Sequence, residues 1–243
     1  MVNDVAMGIG RINPEADFFI KELYPVNFFG TTVYITTTHV CTLIVLLTIA
    51  TIALWARHNV LKTKDSPNKV AVGVEIVIGA LISFVKGSLG EAGKNYINYI
   101  GSLFTFVLIS NISGLFGLRP PTADFGTTFA IAAISFVMIQ YAAIRYQKFD
   151  AFKSLFQPIF LLFPVNVVSE FATPISLSLR LFGNVLAGTV IMALYYGMLP
   201  VLFRFGIPAA LHAYFDLFSG AIQAYVFCML TITFIADKRN VET

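Results

Sequence analysis

The run Phe171-Ala-Thr-Pro-Ile-Ser-Leu-Ser-Leu-Arg180-Leu-Phe-Gly-Asn184-Val-Leu-Ala-Gly188-Thr189 lies inside a longer apolar stretch, Ile159 to Phe203, whose only charges are Glu170 and Arg180. A helix crosses a hydrocarbon core of about 30 Å with about 20 apolar residues. Phe171 to Phe203 alone, if helical, reaches about 50 Å. Such a helix must tilt steeply, bend or partly re-enter, and Pro174 offers the bend or boundary. The fold follows from this stretch: a membrane helix too long for its membrane.

The rest of the chain agrees. Of its 243 residues, 57% are hydrophobic and 12% charged, and the mean hydropathy is +0.80. A soluble surface needs about a quarter of its residues charged, so a soluble domain, a nucleic-acid binder and a disordered protein are excluded. Val33 to Ala56, Ile97 to Leu118 and Phe125 to Ile144 each suffice for one span, and a second long run covers Phe205 to Ala236. Val70 to Gly90 differs. Val74, Val77, Ile78, Leu81, Ile82 and Val85 form one helical stripe with Glu75, Ser83 and Lys86 off it, the pattern of an amphipathic helix lying in the interface. The expected fold is all-α and integral to the membrane, a single domain over residues 1–243. It has five spans (33–56, 97–118, 125–144, 159–203, 205–236), an interfacial helix (70–90) and an outer N-terminal segment (1–32). The last two spans form a long, tilted pair.

Lys and Arg in the successive connections number 2, 6, 1, 3, 1 and 2 from N- to C-terminus. This alternation puts the N-terminus outside and the C-terminus inside. The first 25 residues carry six charges, too polar for the apolar core of a cleavable signal peptide. Cys41 and Cys228 lie in apolar runs and read as small buried hydrophobes.

Arg180 carries the chemistry. At a helix centre an Arg costs about 2.5–3.5 kcal/mol on insertion scales, and a guanidinium does not shed its proton. It needs an acidic partner: Glu170, Asp216, or a carboxylate on another chain. Asp216, Gly220 and Gln223 make a polar stripe on the last span, readable as a hydrogen-bonded structural pair or as a wet path from outside. Asn184 and Thr189 lie outward of Arg180, and Ser176 one turn inward. Small residues Gly183, Ala187 and Gly188 suit close helix packing or a moving neighbour. Glu170 borders the inner face, and Ser110, Asn111, Ser113 and Asp124 are candidates for the outer path. His39, His58 and His212 show no metal-ligand spacing and are given no role. No P-loop and no nucleophile–base pair is present, so neither a metal nor a cofactor is expected. A permanent cation between two polar stripes blocks a continuous proton wire while attracting a carboxylate, which describes an ion-coupled machine rather than a pore.

Pro174-Ile-Ser-Leu-Ser-Leu-Arg-Leu-Phe-Gly-Asn-Val-Leu-Ala-Gly188 closely resembles the signature of subunit a of F-type ATP synthases, bacterial type. Gln223-Ala-Tyr-Val-Phe-Cys-Met-Leu-Thr231 resembles its last helix. Pro164-Val-Asn166 and Pro121-Thr-Ala-Asp-Phe-Gly-Thr127 also fit. The likeness runs from about residue 90 to 236; the N-terminal third matches in layout more than in motif. The resemblance implies two tilted helices curving around a rotating ring of c subunits. Arg180 would be the stator charge facing the ring's carboxylates, with Asn184 and Gln223 as polar positions near it. Two offset half-channels would carry the ion, and the implied partners are the c ring, b-type peripheral stalk subunits, the remaining ATP synthase subunits and the lipid bilayer. The chain would be non-catalytic and sit in a bacterial plasma membrane. Many relatives carry Glu where this chain has Thr189 and His where it has Asp216, so Asp216 is expected to supply the outer path's single carboxylate. The family holds proton and sodium versions. The competing reading is an ion-coupled secondary transporter binding an anionic substrate at Arg180, which lacks the inverted repeats such folds use.

Overall fold

A computed structural model describes residues 22–28, 31–62, 69–148, 161, 163–198 and 207–240. The beginning of the expected outer segment, and the connections carrying Lys64, Asp65, Lys153 and Arg204, lie outside them. The architecture is helical, with one addition to the sequence reading. Glu22–Phe28 (β1) and Thr31–Thr36 (β2) pair as an antiparallel hairpin, from Glu22 against Thr36 to Phe28 against Thr31. The β-branched run Thr-Thr-Val-Tyr-Ile-Thr suits a strand, and the first span therefore begins as a helix at Thr37 rather than Val33.

Among the described residues, six helices are long and apolar enough, by length and composition, to cross a membrane. The first four are Thr37–Lys62 (α1), Lys69–Leu89 (α2), Ile97–Ile112 (α3) and Phe125–Gln147 (α4). Phe163–Met198 (α5) has 36 residues, about 54 Å of helix, and Pro174 lies within it rather than at its end. Ile207–His212 (α6) and Gly220–Asn240 (α7) are joined through a π-helical turn, Ala213–Ser219.

In lipid every backbone polar group must be satisfied within the protein, and three threonines of α1 satisfy their hydroxyls locally as well. The hydroxyls of Thr42, Thr48 and Thr51 each donate to the carbonyl four residues back, at 2.7–2.8 Å. α1 docks only through its first turns, at Thr38, Cys41 and Val45, leaving Leu46, Leu47, Leu54, Trp55 and Leu61 exposed. The stripe expected on α2 divides: Val85 is buried, while Val77 and Ile78 are exposed.

The core forms around α7. Ala224, Phe227, Cys228, Ile232 and Ile235 recur at helical spacing and are fully buried, against Ile100, Leu103 and Val107 of α3, Ala132, Ile139 and Ala142 of α4, and Leu177 and Leu181 of α5. Cys41 and Cys228 are buried and unpaired, as their apolar surroundings suggest. Two polar ties fix the α3–α7 packing. Asn111 Nδ2 donates to the Gly220 carbonyl (3.0 Å), and Thr122 Oγ1 donates to Asn111 Oδ1 (2.8 Å). Gly220 is required here by proximity, because a Cβ on it would lie 2.8 Å from Asn111 Cβ. At the other end of α7, Gln147 Nε2 donates to the Lys238 carbonyl (2.6 Å). The Arg239 guanidinium donates to the Leu89 carbonyl, closing the end of α2 just before Gly90 turns left-handed.

Gly220→Ala should push α7 off α3 and destabilise the fold by about 1–3 kcal/mol, the range for overpacking. A lower unfolding midpoint in detergent checks this; an unchanged midpoint would show that the contact yields freely.

Candidate functional site

α5 presents two opposite stripes. Leu177, Leu181, Gly188 and Met192 are buried against the rest of the chain. Ser176, Arg180, Ala187 and Val190 are exposed, with Gly183 half-buried on the same side. The small residues therefore divide: Gly188 packs inward on Phe215, whereas nothing approaches the space beside Gly183. Arg180 points away from the core, flanked by exposed Ile175 and Leu179. Among the described residues it makes neither an ion pair nor a hydrogen bond. Both in-chain partners suggested by the sequence are engaged elsewhere.

Asp216 sits on the π-helical turn and is paired with His212, Nδ1 to Oδ2 at 2.9 Å. The sequence reading gave His212 no role. The signal was present in the four-residue spacing from Asp216, which places both side chains on one helical face. Asp216 also borders a small cleft of about 250 Å³, counting its open mouth, together with Asn111, Asn184, Gly188, Phe215 and Gly220. Asn184 Oδ1 accepts from Ser219 Oγ (2.6 Å), tying α5 to the π-helical turn. The structure thus brings Asp216, Asn184 and Asn111 to one cleft. Ser110 Oγ and Gln223 Nε2 are buried with no hydrogen-bond partner among the described residues.

Glu170 belongs to a separate cluster. Its Oε1 accepts from the Lys238 ammonium and its Oε2 from Gln140 Nε2 (2.9 Å). Along α5 it lies about 21 Å from Asn184, with Arg180 about 6 Å from Asn184 and about 15 Å from Glu170. Asp124 is not at either cluster: its carboxylate accepts from the Gly126 N–H (3.0 Å) and caps α4. Thr189 is exposed and returns its hydroxyl to the Val185 carbonyl. Ser113 Oγ donates to the Ser110 carbonyl. Chemically, the arrangement offers two polar clusters at different levels of α5 and, between them, a cation that is uncompensated among the described residues.

These features define a multi-pass helical membrane protein built around intramembrane charge, a class that includes ion-translocating subunits. The family model described as ATP synthase A chain matches residues 38–236. A protein of Propionigenium modestum named ATP synthase subunit a, sodium ion specific, is 39% identical over 218 residues, covering 83% of this chain and 73% of that one. An ATP synthase subunit a of Geobacter sulfurreducens is 35% identical over 201 residues, 81% of each chain. One from Moorella thermoacetica is 36% identical over 171 residues, 68% of this chain and 76% of the other. The chain belongs to this family, the a subunits of F-type ATP synthases, and so is a component of that complex. Membership sets aside the secondary-transporter reading.

Lys238→Met should leave Glu170 partly buried with one partner lost, lowering stability by about 1–3 kcal/mol. Adding Glu170→Gln should recover part of the loss. Unfolding midpoints of the two variants check this, and equal midpoints for native and Lys238→Met would show that the ion pair contributes nothing.

Proposed function

We propose that this chain is the ion-conducting stator of the ATP synthase membrane sector, working against a ring of c subunits. The observation that carries the reading is Arg180: exposed, unpaired among the described residues, and set between two polar clusters. A guanidinium at that position attracts a passing carboxylate but cannot relay a proton, so it separates two half-paths. The outer path runs from the Asp216 cleft, with Asn111 and Asn184 beside it and the unused polar capacity of Ser110 and Gln223 deeper in the helix packing. Ser176 and Glu170 border the inner path and Thr189 its outer counterpart, while Asp124 stays with the cap of α4. Ring carboxylates load from one path and unload to the other, and the guanidinium forbids a direct leak. The membrane potential supplies about 2.3 kcal/mol per charge per 100 mV, which becomes torque. The chain itself is non-catalytic.

The same reading makes 1–243 one membrane domain in a bacterial plasma membrane, with the N-terminus outside, the C-terminus in the cytoplasm, and α2 lying along the inner interface. The exposed apolar length of α1 suits lipid or b-type peripheral stalk subunits, and further ATP synthase subunits complete the partners. The 39% identical relative is named sodium ion specific, which favours a second reading of the cargo, Na⁺ in place of H⁺.

Arg180→Ala should abolish ATP-driven ion pumping while the complex still assembles; normal pumping would end the stator role. Single cysteines at Ser176 or Ala187, on the exposed stripe, should crosslink to a c subunit, and one at buried Leu181 should not. Cargo is decided by synthesis in proteoliposomes. Activation by Na⁺ at constant pH supports the sodium reading, and indifference to Na⁺ supports protons.

A further inference from the structure

We propose that His212 is a positioning residue for the Asp216 carboxylate and marks where the outer path meets the surface. The inference rests on the ion-carrying reading of Asp216 and goes beyond it by assigning a residue that the family signature does not contain.

Among the described residues His212 is the one side chain hydrogen-bonded to the Asp216 carboxylate. Its Nδ1 lies 2.9 Å from Asp216 Oδ2; facing a carboxylate oxygen, which accepts, the tautomer with the proton on Nδ1 makes this a charge-assisted bond. The other residues that line its cleft are uncharged. α3 and its end present Asn111 and Gly114, the following turn Pro120, and α5 Asn184 and Gly188. Of the asparagine donors, Asn111 Nδ2 is given to the Gly220 carbonyl, and among the described residues Asn184 makes no hydrogen bond to Asp216. Gly114 gives room and no bond: a Cβ there would lie 3.2 Å from Asp216 Cγ. With Oδ2 held by the imidazole, Oδ1 is the oxygen left to receive the ion.

The His212 side chain is 40% exposed and that of Asp216 24%, so the imidazole is the more open member of the pair, and on the proposed orientation it faces the outer mouth of the path. At such exposure the pair adds little stability. Its effect therefore belongs in ion loading rather than in holding the fold.

The test is ATP synthesis by the assembled complex in proteoliposomes, followed against ion concentration on the outer side, as a pH series and a Na⁺ series. His212→Leu should raise the concentration needed for half-maximal synthesis about tenfold, as expected for losing a hydrogen bond to a charged group. The saturated rate should hold within about twofold. His212→Gln keeps an N–H donor and should stay within about threefold of native on the same scale. Native half-saturation in His212→Leu would overturn the proposal. So would equal loss of saturated rate in both variants with half-saturation unchanged, the mark of a packing role. If His212→Leu does not assemble, His212→Asn, with its shorter reach, takes its place under the same expectation. Asp216→Asn is measured in parallel. If it matches native, the ion-carrying reading of Asp216 fails and His212 falls with it; if it is impaired while His212→Leu is silent, only the present proposal fails.

Discussion

The approach of α7 to α3 at Gly220 and Asn111 is the contact on which the site depends. Between helices in lipid there is no hydrophobic drive to association, because lipid tails are as apolar as the side chains. Close backbone approach and interhelical hydrogen bonds replace it. Gly220 permits the approach and Asn111 fastens it, with one amide group reaching the Gly220 carbonyl and accepting from Thr122. Immediately before Gly220 the chain is π-helical, a form that recurs as single turns at functional sites. The anchored glycine therefore sets the level of Asp216 and of Ser219, which grips Asn184. Displacing Gly220 would move the cleft and its carboxylate together.

The charges inside the apolar helices are not treated alike. Glu170 is held on both oxygens by Lys238 and Gln140, and Asp216 is held by His212. Both carboxylates thus have partners on this chain, drawn from α4, α6 and α7. Arg180 has none among the described residues, although it lies on the same helix as Glu170 and only about 6 Å of helix rise from Asn184. The difference follows from the two stripes of α5. Its inward side carries the packing residues Leu177 and Leu181, and Arg180 falls on the other.

What the sequence disclosed follows the range of the physics involved. Spans were legible because the cost of burying charge in hydrocarbon acts on every residue of a run, so Ile97–Ile112 and Phe125–Gln147 begin where the apolar pattern begins. Arg180 was legible for the same reason, as an expense that demands a use. The hairpin before Thr37 was not, since Val33 to Thr36 is as apolar and β-branched as the helix that follows. The π-helical turn left no trace, because it changes backbone register without needing particular side chains. Gly183, Ala187 and Gly188 were read together as small residues, but only helix phase separates the one that packs from the two that do not. The His212–Asp216 pair was written in a four-residue spacing. It was passed over because a lone His in an apolar segment has no metal-ligand company.

The unpaired state of Arg180 bears on assembly as well as on ion flow. An in-chain carboxylate bound to the guanidinium would lower the cost of the charge in lipid, but any visiting carboxylate would then have to displace it. Among its described residues the chain forgoes that compensation and leaves the guanidinium on a face lined by Ser176, Gly183 and Ala187, which are small enough for another helix to come close. On the proposed reading the ring supplies what the chain withholds. A carboxylate from one c subunit replaces that of its neighbour as the ring turns, and Arg180 is never left without a counter-charge. The partner then stabilises the folded chain by binding it, and the interaction that blocks the leak also favours the assembled complex over the isolated subunit. A guanidinium tethered within its own chain would secure the second effect at the loss of the first.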